Sequence, residues 1–253
     1  MDINTDTKII TDTTTHRVVD IHSHILPFID DGAKDLEQAV DMLLLSKKQG
    51  VDMIVATPHF YSGMYTIPEF LSLREKSYNA LTEKLRAENI DAPCIVLGAE
   101  VEISPDILTD GDIGKLTINN SRYIMLEMPY ATWQSWNYNV IMTVINKYKL
   151  IPVMAHIERF ANLLGGFSKI ETLVNMDVLL QINAYSLVDR RFKKIINSLV
   201  EKDKLHLLGS DCHNTDTRRS EMDRAIHEIS KKYSGSVLNN IFKNSNKIIE
   251  DEI

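Results

Sequence analysis

The sequence is poor in cysteine: Cys94 and Cys212 are the two in 253 residues, too few for a disulfide framework. It has no apolar run approaching the roughly 20 residues of a membrane span, so no membrane insertion is expected. Residues 1–16 lack the apolar core of a signal peptide. Positive charge is not in surplus either. Lys and Arg number 28 against 35 Asp and Glu, a net −7, which argues against nucleic acid or an anionic membrane as partner. There is no internal repeat and no low-complexity linker. These absences make the cytoplasm the expected compartment and leave the oligomeric state open. What is present is ordinary globular composition, 44% hydrophobic and 25% charged. The chain is long enough to bury a large core as one α/β domain. Residues 1–16, rich in Thr and Asp, read as a flexible N-terminal tail, and 17–253 as that domain.

The chain is organised around Val18–Gly32, VVDIHSHILPFIDDG. A β-branched run opens it, as in a buried strand. Alternation predicts Asp20, His22 and His24 on one face and Val19 and Ile21 on the other. Two imidazoles at i and i+2 can reach one metal ion. The turn at Asp30-Asp31-Gly32 follows closely enough to fold a carboxylate back over them.

Downstream the pattern alternates. Helices are predicted over Asp35–Gln49, Ile67–Asn89, Tyr138–Tyr148, Asp189–Lys202, Glu221–Lys232 and Val237–Asn246. Strands are predicted over Met53–Thr57, Cys94–Gly98, Tyr123–Leu126, Ile151–Ala155, Leu179–Ile182 and Leu205–Gly209. Ser104–Asn120 reads as irregular. Nearly continuous apolar strands between helices predict a parallel sheet covered by helices. Seven such strands suggest a barrel one short of the usual eight, with an open doubly wound sheet as the alternative.

The polar residues are unevenly distributed. His22, His24, His59, Glu100, Glu127, His156, Asp211 and His213 each stand at or just beyond a strand end. In a barrel those ends meet at one mouth, where active sites are built. Five of the eight histidines fall there. Buried carboxylates and imidazoles need partners. So many donors exceed what one ion takes and suit two or three. Arg159 and Arg218 follow the fifth and seventh strands, and guanidinium forks match phosphate oxygens. A rival pattern is Cys212-x5-Arg218, the spacing of cysteine-dependent tyrosine phosphatases. Its loop lacks glycine and carries Asp216, so coincidence is expected.

DIHSHILPFIDDG at 20–32, ATPH at 56–59, GAE at 98–100, RYIMLEMP at 122–129, PVMAHIER at 152–159 and GSDCHN at 209–214 come in a familiar order. With them the sequence resembles the PHP (polymerase and histidinol phosphatase) superfamily. More closely, it resembles the manganese-dependent protein tyrosine phosphatases encoded with bacterial capsule and exopolysaccharide genes. The resemblance implies a distorted (β/α)7 barrel and a three-metal site. Its ligands would be His22, His24, Asp31, His59, Glu100, Glu127, His156, Asp211 and His213. Arg159 and Arg218 would bind phosphate and act in catalysis. Manganese is the first choice of metal, with iron, zinc or cobalt also suited. The implied reaction is hydrolysis of phosphotyrosine by a metal-bridging hydroxide. The implied partner is a bacterial tyrosine autokinase. The same centre acting on histidinol phosphate or another small phosphomonoester is the alternative, and a binding module with purely structural metals is a third reading. A PHP exonuclease fits poorly with the acidic charge. Phe28, Phe60, Tyr61, Tyr65, Trp133 and Trp136 lie in loops near the expected mouth. Ordinary packing is the first expectation for each, and flanking a phenol ring the second.

Overall fold

The first strand, β1 (Val19–Ser23), is buried along its whole length, as its β-branched run predicts. It belongs to a computed structural model that describes residues 17–251 apart from 110, 111, 132 and 165. The expected N-terminal tail lies outside the described residues. Eight further strand segments follow: β2 (Met53–Ala56), β3 (His59–Phe60), β4 (Cys94–Leu97), β5 (Glu100–Glu102), β6 (Tyr123–Glu127), β7 (Ile151–Met154), β8 (Leu179–Asn183) and β9 (Leu207–Gly209). The helices are α1 (Leu36–Lys48), α2 (Ile67–Ala87), α3 (Ser135–Asn146), α4 (Ile157–Leu163), α5 (Glu171–Val174), α6 (Ala184–Val188), α7 (Lys193–Glu201), α8 (Met222–Lys232) and α9 (Gly235–Glu250).

Every ladder is parallel. One sheet runs β1-β2-β4 and the other β3-β5-β6-β7-β8-β9. The two are parts of one ring, because β2 and β3 are halves of a single strand, as are β4 and β5. Pro58 has no N–H to offer a ladder, which breaks the first of these. The second breaks at Gly98-Ala99, where the buried guanidinium of Arg74 on α2 donates to the Gly98 carbonyl at 2.6 Å. The ring closes between β9 and β1. Asp211 N donates to His22 O at 2.8 Å and His24 N to Cys212 O at 2.9 Å. The seven expected strands therefore form a distorted barrel and not an open sheet.

The distortion has a location. β5 pairs with β6, but β4 does not; the turn Ile118–Asn120 fits into the gap beside them. The segment expected to be irregular holds three short 3-10 turns, Pro105–Leu108, Ile113–Leu116 and Ile118–Asn120. Inside the ring, Val19, Ile21, Val55, Val96, Met125, Val153 and Leu207 form an apolar floor, sealed by Ile248 and Ile249 of α9. A larger apolar layer lies between the strands and the helices.

Local signals held where side chains cap the backbone. Asp35 accepts from Gln38 N at 2.8 Å to start α1, and Thr66 and Glu69 form a capping box ahead of α2. The helix expected from Asp189 is a 3-10 turn, Arg190–Phe192, followed by α7. The strict alternation expected in β1 does not hold. Asp20 pairs with Ile54 and Ser23 with Ala56, three steps against two, which is a β-bulge. Ile21 joins the inner apolar floor, and His22 also turns inward.

The ring is tight at one point above all. A Cβ on Gly209 would stand 2.5 Å from His22 Cβ and 3.1 Å from Gln181 Nε2. Gly209→Ala is expected to destabilise the fold by about 1–3 kcal/mol through overpacking. Urea denaturation would read this as a lower midpoint at unchanged slope. An unchanged midpoint would show that β1 and β9 can part freely here.

Candidate metal centre

Two strand breaks and one bulge deliver the central side chains. His59 and Glu100 are paired first residues of β3 and β5, so both lie just above the breaks. Glu100 is 1% exposed. Its Oε2 stands 3.2 Å from His22 Nε2, 3.3 Å from His24 Nε2 and 3.1 Å from His59 Nδ1. Its Oε1 is 2.9 Å from His156 Nε2. Glu127, at the end of β6, approaches His156 at 3.2 Å and His59 at 3.8 Å. Asp211 lies 3.8 Å from His22, 3.5 Å from His24 and 3.5 Å from His213. Asp31 reaches His213 at 3.2 Å and His59 at 3.6 Å. All nine residues expected as ligands thus come together at the mouth, with Arg159 and Arg218 beside them.

The electrostatics are those of mutual pairing. Burial alone would raise the Glu100 carboxyl, but the imidazoles of His22, His156 and His24 hold it well below the usual carboxylate range. Asp211 is likewise depressed, against its burial, by His24, His22 and His156. Burial works against charge on His156 too, yet Glu100 and Glu127 lift it to about 10. His24 is held well above its ordinary value by Asp30, Asp211 and Glu100, again against burial. His213 moves the other way, down, through burial and the neighbouring His24.

This donor set fits divalent cations. Glu100 Oε2, His59 Nδ1 and His213 Nε2 are buried polar atoms with no hydrogen-bond partner, and all three face the cluster. Three overlapping groups have ligand atoms within 4.8 Å of one another: His24, Asp31, His59 and His213; His22, His24 and Asp211; His59, Glu100 and Glu127. Nitrogen and oxygen donors without thiolate suit manganese, iron or zinc.

Residues around the cluster hold it in place. Asp30 accepts from His24 Nδ1 at 2.7 Å, from His59 N at 3.0 Å and from Gly32 N at 2.9 Å. Those bonds, led by the His24 charge, outweigh burial and bring its carboxyl down to about 2. Gly32 is required there, since a Cβ would meet His24 O at 2.2 Å. Asp20 does not join the histidines; it accepts from Ser210 N at 2.7 Å, and burial raises its carboxyl to about 6. His156 and Asp211 sit at φ 31° and 52°, left-handed conformations that side chains other than glycine seldom adopt. Glu158, fully buried, accepts from Ser186 Oγ at 2.8 Å and from Asn183 N at 3.2 Å. None of these supporting roles was assigned from the sequence. The signal that existed was polarity inside apolar runs, as in Leu179–Asn183, LLQIN.

Arg159 Nη1 donates to Asp211 Oδ2 at 2.9 Å and Arg218 Nη2 to Asp211 Oδ1 at 3.2 Å. The guanidinium of Arg159 lies 5.5 Å from the ring centroid of Tyr130, an exposed aromatic that the sequence did not single out. A cavity of about 210 Å³ opens beside both arginines, with Tyr185 and Thr217 in its wall. Among the aromatics expected near the mouth, Phe60 is buried edge-on against Phe70 and Trp133 packs on Phe160. Tyr65 and Trp136 pack against the outer apolar layer. Tyr61 stacks on His59 at 5.1 Å, and Phe28 is 69% exposed.

The cysteine pattern is a coincidence of spacing. Cys212 is buried, and burial pushes its thiol up to about 12, away from the thiolate a nucleophile needs. Its loop has no free cradle of N–H groups. His213 N and Asn214 N donate to Arg218 O, while Asp216 N and Arg218 N donate to Asn214 Oδ1.

Comparison with known proteins identifies the family. Residues 18–250 match the pattern of the CpsB/CapC family, described as capsular polysaccharide synthesis. The chain is 33% identical over 255 residues to tyrosine-protein phosphatase CpsB of Streptococcus pneumoniae, covering 93% of this chain and 100% of that one. It is 30% identical over 242 residues to tyrosine-protein phosphatase YwqE of Bacillus subtilis (strain 168), covering 93% and 92%. A solved structure from a study of YwqE and CpsB, there called unique metal-dependent tyrosine phosphatases, superposes with a TM-score of 0.82 at 26% identity, over 93% of this chain and 96% of that one. The phosphotriesterase of Mycobacterium tuberculosis, at 13% identity and a TM-score of 0.52 over 93% and 94%, shares the fold alone. With a family match across nearly the whole described chain, this protein belongs to the CpsB/CapC family.

Proposed function

We propose that this chain is a metal-dependent protein tyrosine phosphatase that removes phosphate from a bacterial tyrosine autokinase of capsule or exopolysaccharide synthesis. One observation carries the reading: two arginines converge on the rim of an eight-residue nitrogen and oxygen cluster, which His156 joins through Glu100 and Glu127. We assign His22, His24, Asp31, His59, Glu100, Glu127, His156, Asp211 and His213 as ligands of two or three manganese ions. Such ions would supply positive charge to a bound phosphoryl group and lower the pKa of water at the site.

Arg159 and Arg218 end at the two oxygens of one carboxylate, Asp211. A phosphate entering between them takes two converging forks, which neutralise its equatorial oxygens as charge develops. The Tyr130 ring lies 5.5 Å from the Arg159 guanidinium and, with the bond to Asp211, restrains it before substrate arrives. The leaving phenol has a pKa of about 10, so its departure needs less proton donation than that of an alkyl alcohol. The names of the CpsB and YwqE relatives favour phosphotyrosine over a small phosphomonoester such as histidinol phosphate. No helix among the described residues is long and apolar enough to cross a membrane. We place the reaction in the cytoplasm, where an autokinase finds its ATP.

Chelation is expected to abolish hydrolysis of a phosphotyrosine peptide, and Mn²⁺ to restore it, with histidinol phosphate a poor substrate. Activity that survives complete metal removal would defeat the reading. Arg218→Ala should lower kcat/KM by about 10²–10³, the usual loss for a donor aimed at developing charge. Arg218→Lys should recover little, because an ammonium lacks the fork. Steady-state kinetics on folded, manganese-loaded variants checks both. Cys212→Ser should retain activity within a few-fold, and an inactive but metal-loaded mutant would restore the thiol as nucleophile.

A further inference from the structure

Among the described strands, β8 carries none of the proposed ligands, yet its two inward polar side chains, Gln181 and Asn183, are completely buried amides. We propose that these two form an amide relay that positions His22, His156 and Asp211, and thereby sets the affinity of the centre for its ions. The proposal rests on the metal-centre reading above.

The relay can be traced atom by atom. His156 N donates to Gln181 Oε1 at 2.7 Å, and His22 Nδ1 lies 3.1 Å from the same oxygen. Gln181 Nε2 donates to Asn183 Oδ1 at 2.9 Å. Asn183 Nδ2 donates to Asp211 Oδ2 at 2.7 Å. Three ligands from three different strand ends are thus tied through one neighbouring strand.

The polarity of the chain is forced. A backbone N–H can only donate, so the atom facing His156 must be the Gln181 oxygen. Its NH₂ must then face Asn183, whose oxygen accepts, and the Asn183 NH₂ must meet Asp211, an ionised carboxylate that can only accept. The chain runs from an obligate donor to an obligate acceptor, so neither amide can flip without a clash of like groups. One consequence falls on His22. With Gln181 Oε1 as acceptor, its Nδ1 carries a hydrogen, which leaves Nε2, the atom facing Glu100 and His24, as the nitrogen that would hold an ion. A second falls on His156, whose left-handed backbone is held by the N–H bond to Gln181. A third falls on Asp211, one of whose oxygens is fixed by Asn183 and Arg159 together.

Amides are the suitable chemistry. They orient imidazole and carboxylate without adding charge to a site already holding Asp31, Glu100, Glu127 and Asp211. A carboxylate at position 183 would face Asp211 across 2.7 Å with no proton between them. Gly209 leaves room for the relay, since a Cβ there would press on Gln181 Nε2 at 3.1 Å.

The test is manganese titration of the chelator-stripped full chain by calorimetry, with melting of the stripped protein and peptide hydrolysis alongside. Gln181→Leu is expected to bind manganese about 10–100-fold more weakly, as for other partners of metal ligands. Its kcat at saturating manganese should fall far less than its affinity. A folded Gln181→Leu with wild-type affinity and stoichiometry would overturn the relay. Should Gln181→Leu fail to fold, Asn183→Leu decides, since it removes the link to Asp211 at similar volume and without adding charge. Weakened manganese binding by a stripped variant that still melts cooperatively supports the relay, and wild-type binding overturns it. Wild-type chain that binds no manganese would defeat the metal-centre reading itself, an outcome distinct from variants that match wild type.

Discussion

Glu100 is a carboxylate with almost no exposure, ringed by four imidazoles whose nearest nitrogens lie 2.9–3.3 Å away. Burying charge of this kind costs several kcal/mol per ion unless compensated at close range. Much of the fold can be read as the means of compensation. The break at Gly98-Ala99 sets Glu100 in register with His59, and the bulge in β1 turns His22 toward it. The left-handed backbone of His156 brings a third imidazole under the same carboxylate. Each is a departure from regular strand or helix geometry, and each ends at Glu100. Departures of this sort persist only where surrounding contacts over-determine them. The bonds from Asp30 and Gln181 supply that insistence.

Most of the ring was legible in the sequence for one physical reason. Parallel strands covered on both faces are nearly continuous apolar runs, and a histidine or glutamate ending such a run stands out against them. His59, Glu100, Glu127 and His156 were found that way. Gln181 and Asn183 interrupt an apolar run just as plainly, but amides carry no metal-ligand signature, so their positions conveyed nothing alone. The bulge was illegible because register belongs to a pair of strands, and the one-residue slip between Asp20 and Ser23 exists only against Ile54 and Ala56. The short helices α4 and α6 begin immediately after strands and run too few turns for a period to appear.

The arginines show how one set of contacts serves two purposes. Arg159 and Arg218 occupy their positions by bonding to Asp211 and Asp31, which are themselves assigned as ligands. The groups proposed to grip phosphate are thus positioned by the groups proposed to grip metal, and the phosphate site is aligned by the centre it works with. Tyr130 adds an aromatic face to that alignment, from a loop whose sequence offered only ordinary turn composition.

The seam where β9 meets β1 has a temporal meaning. It joins His22 to Asp211, residues separated by most of the chain, and the barrel floor is sealed by Ile248 and Ile249. Contacts so distant in sequence form late, because closing a long loop must precede any gain from them. During synthesis, the segments bearing His22, His24 and His59 emerge well before Asp211, His213 and α9 exist. For that interval His22 and His24 have Asp30 and Glu100 within their stretch of chain but lack Asp211. Assembly of the proposed metal centre therefore waits on the closing of this seam, because Asp211 meets His22 and His24 only across it.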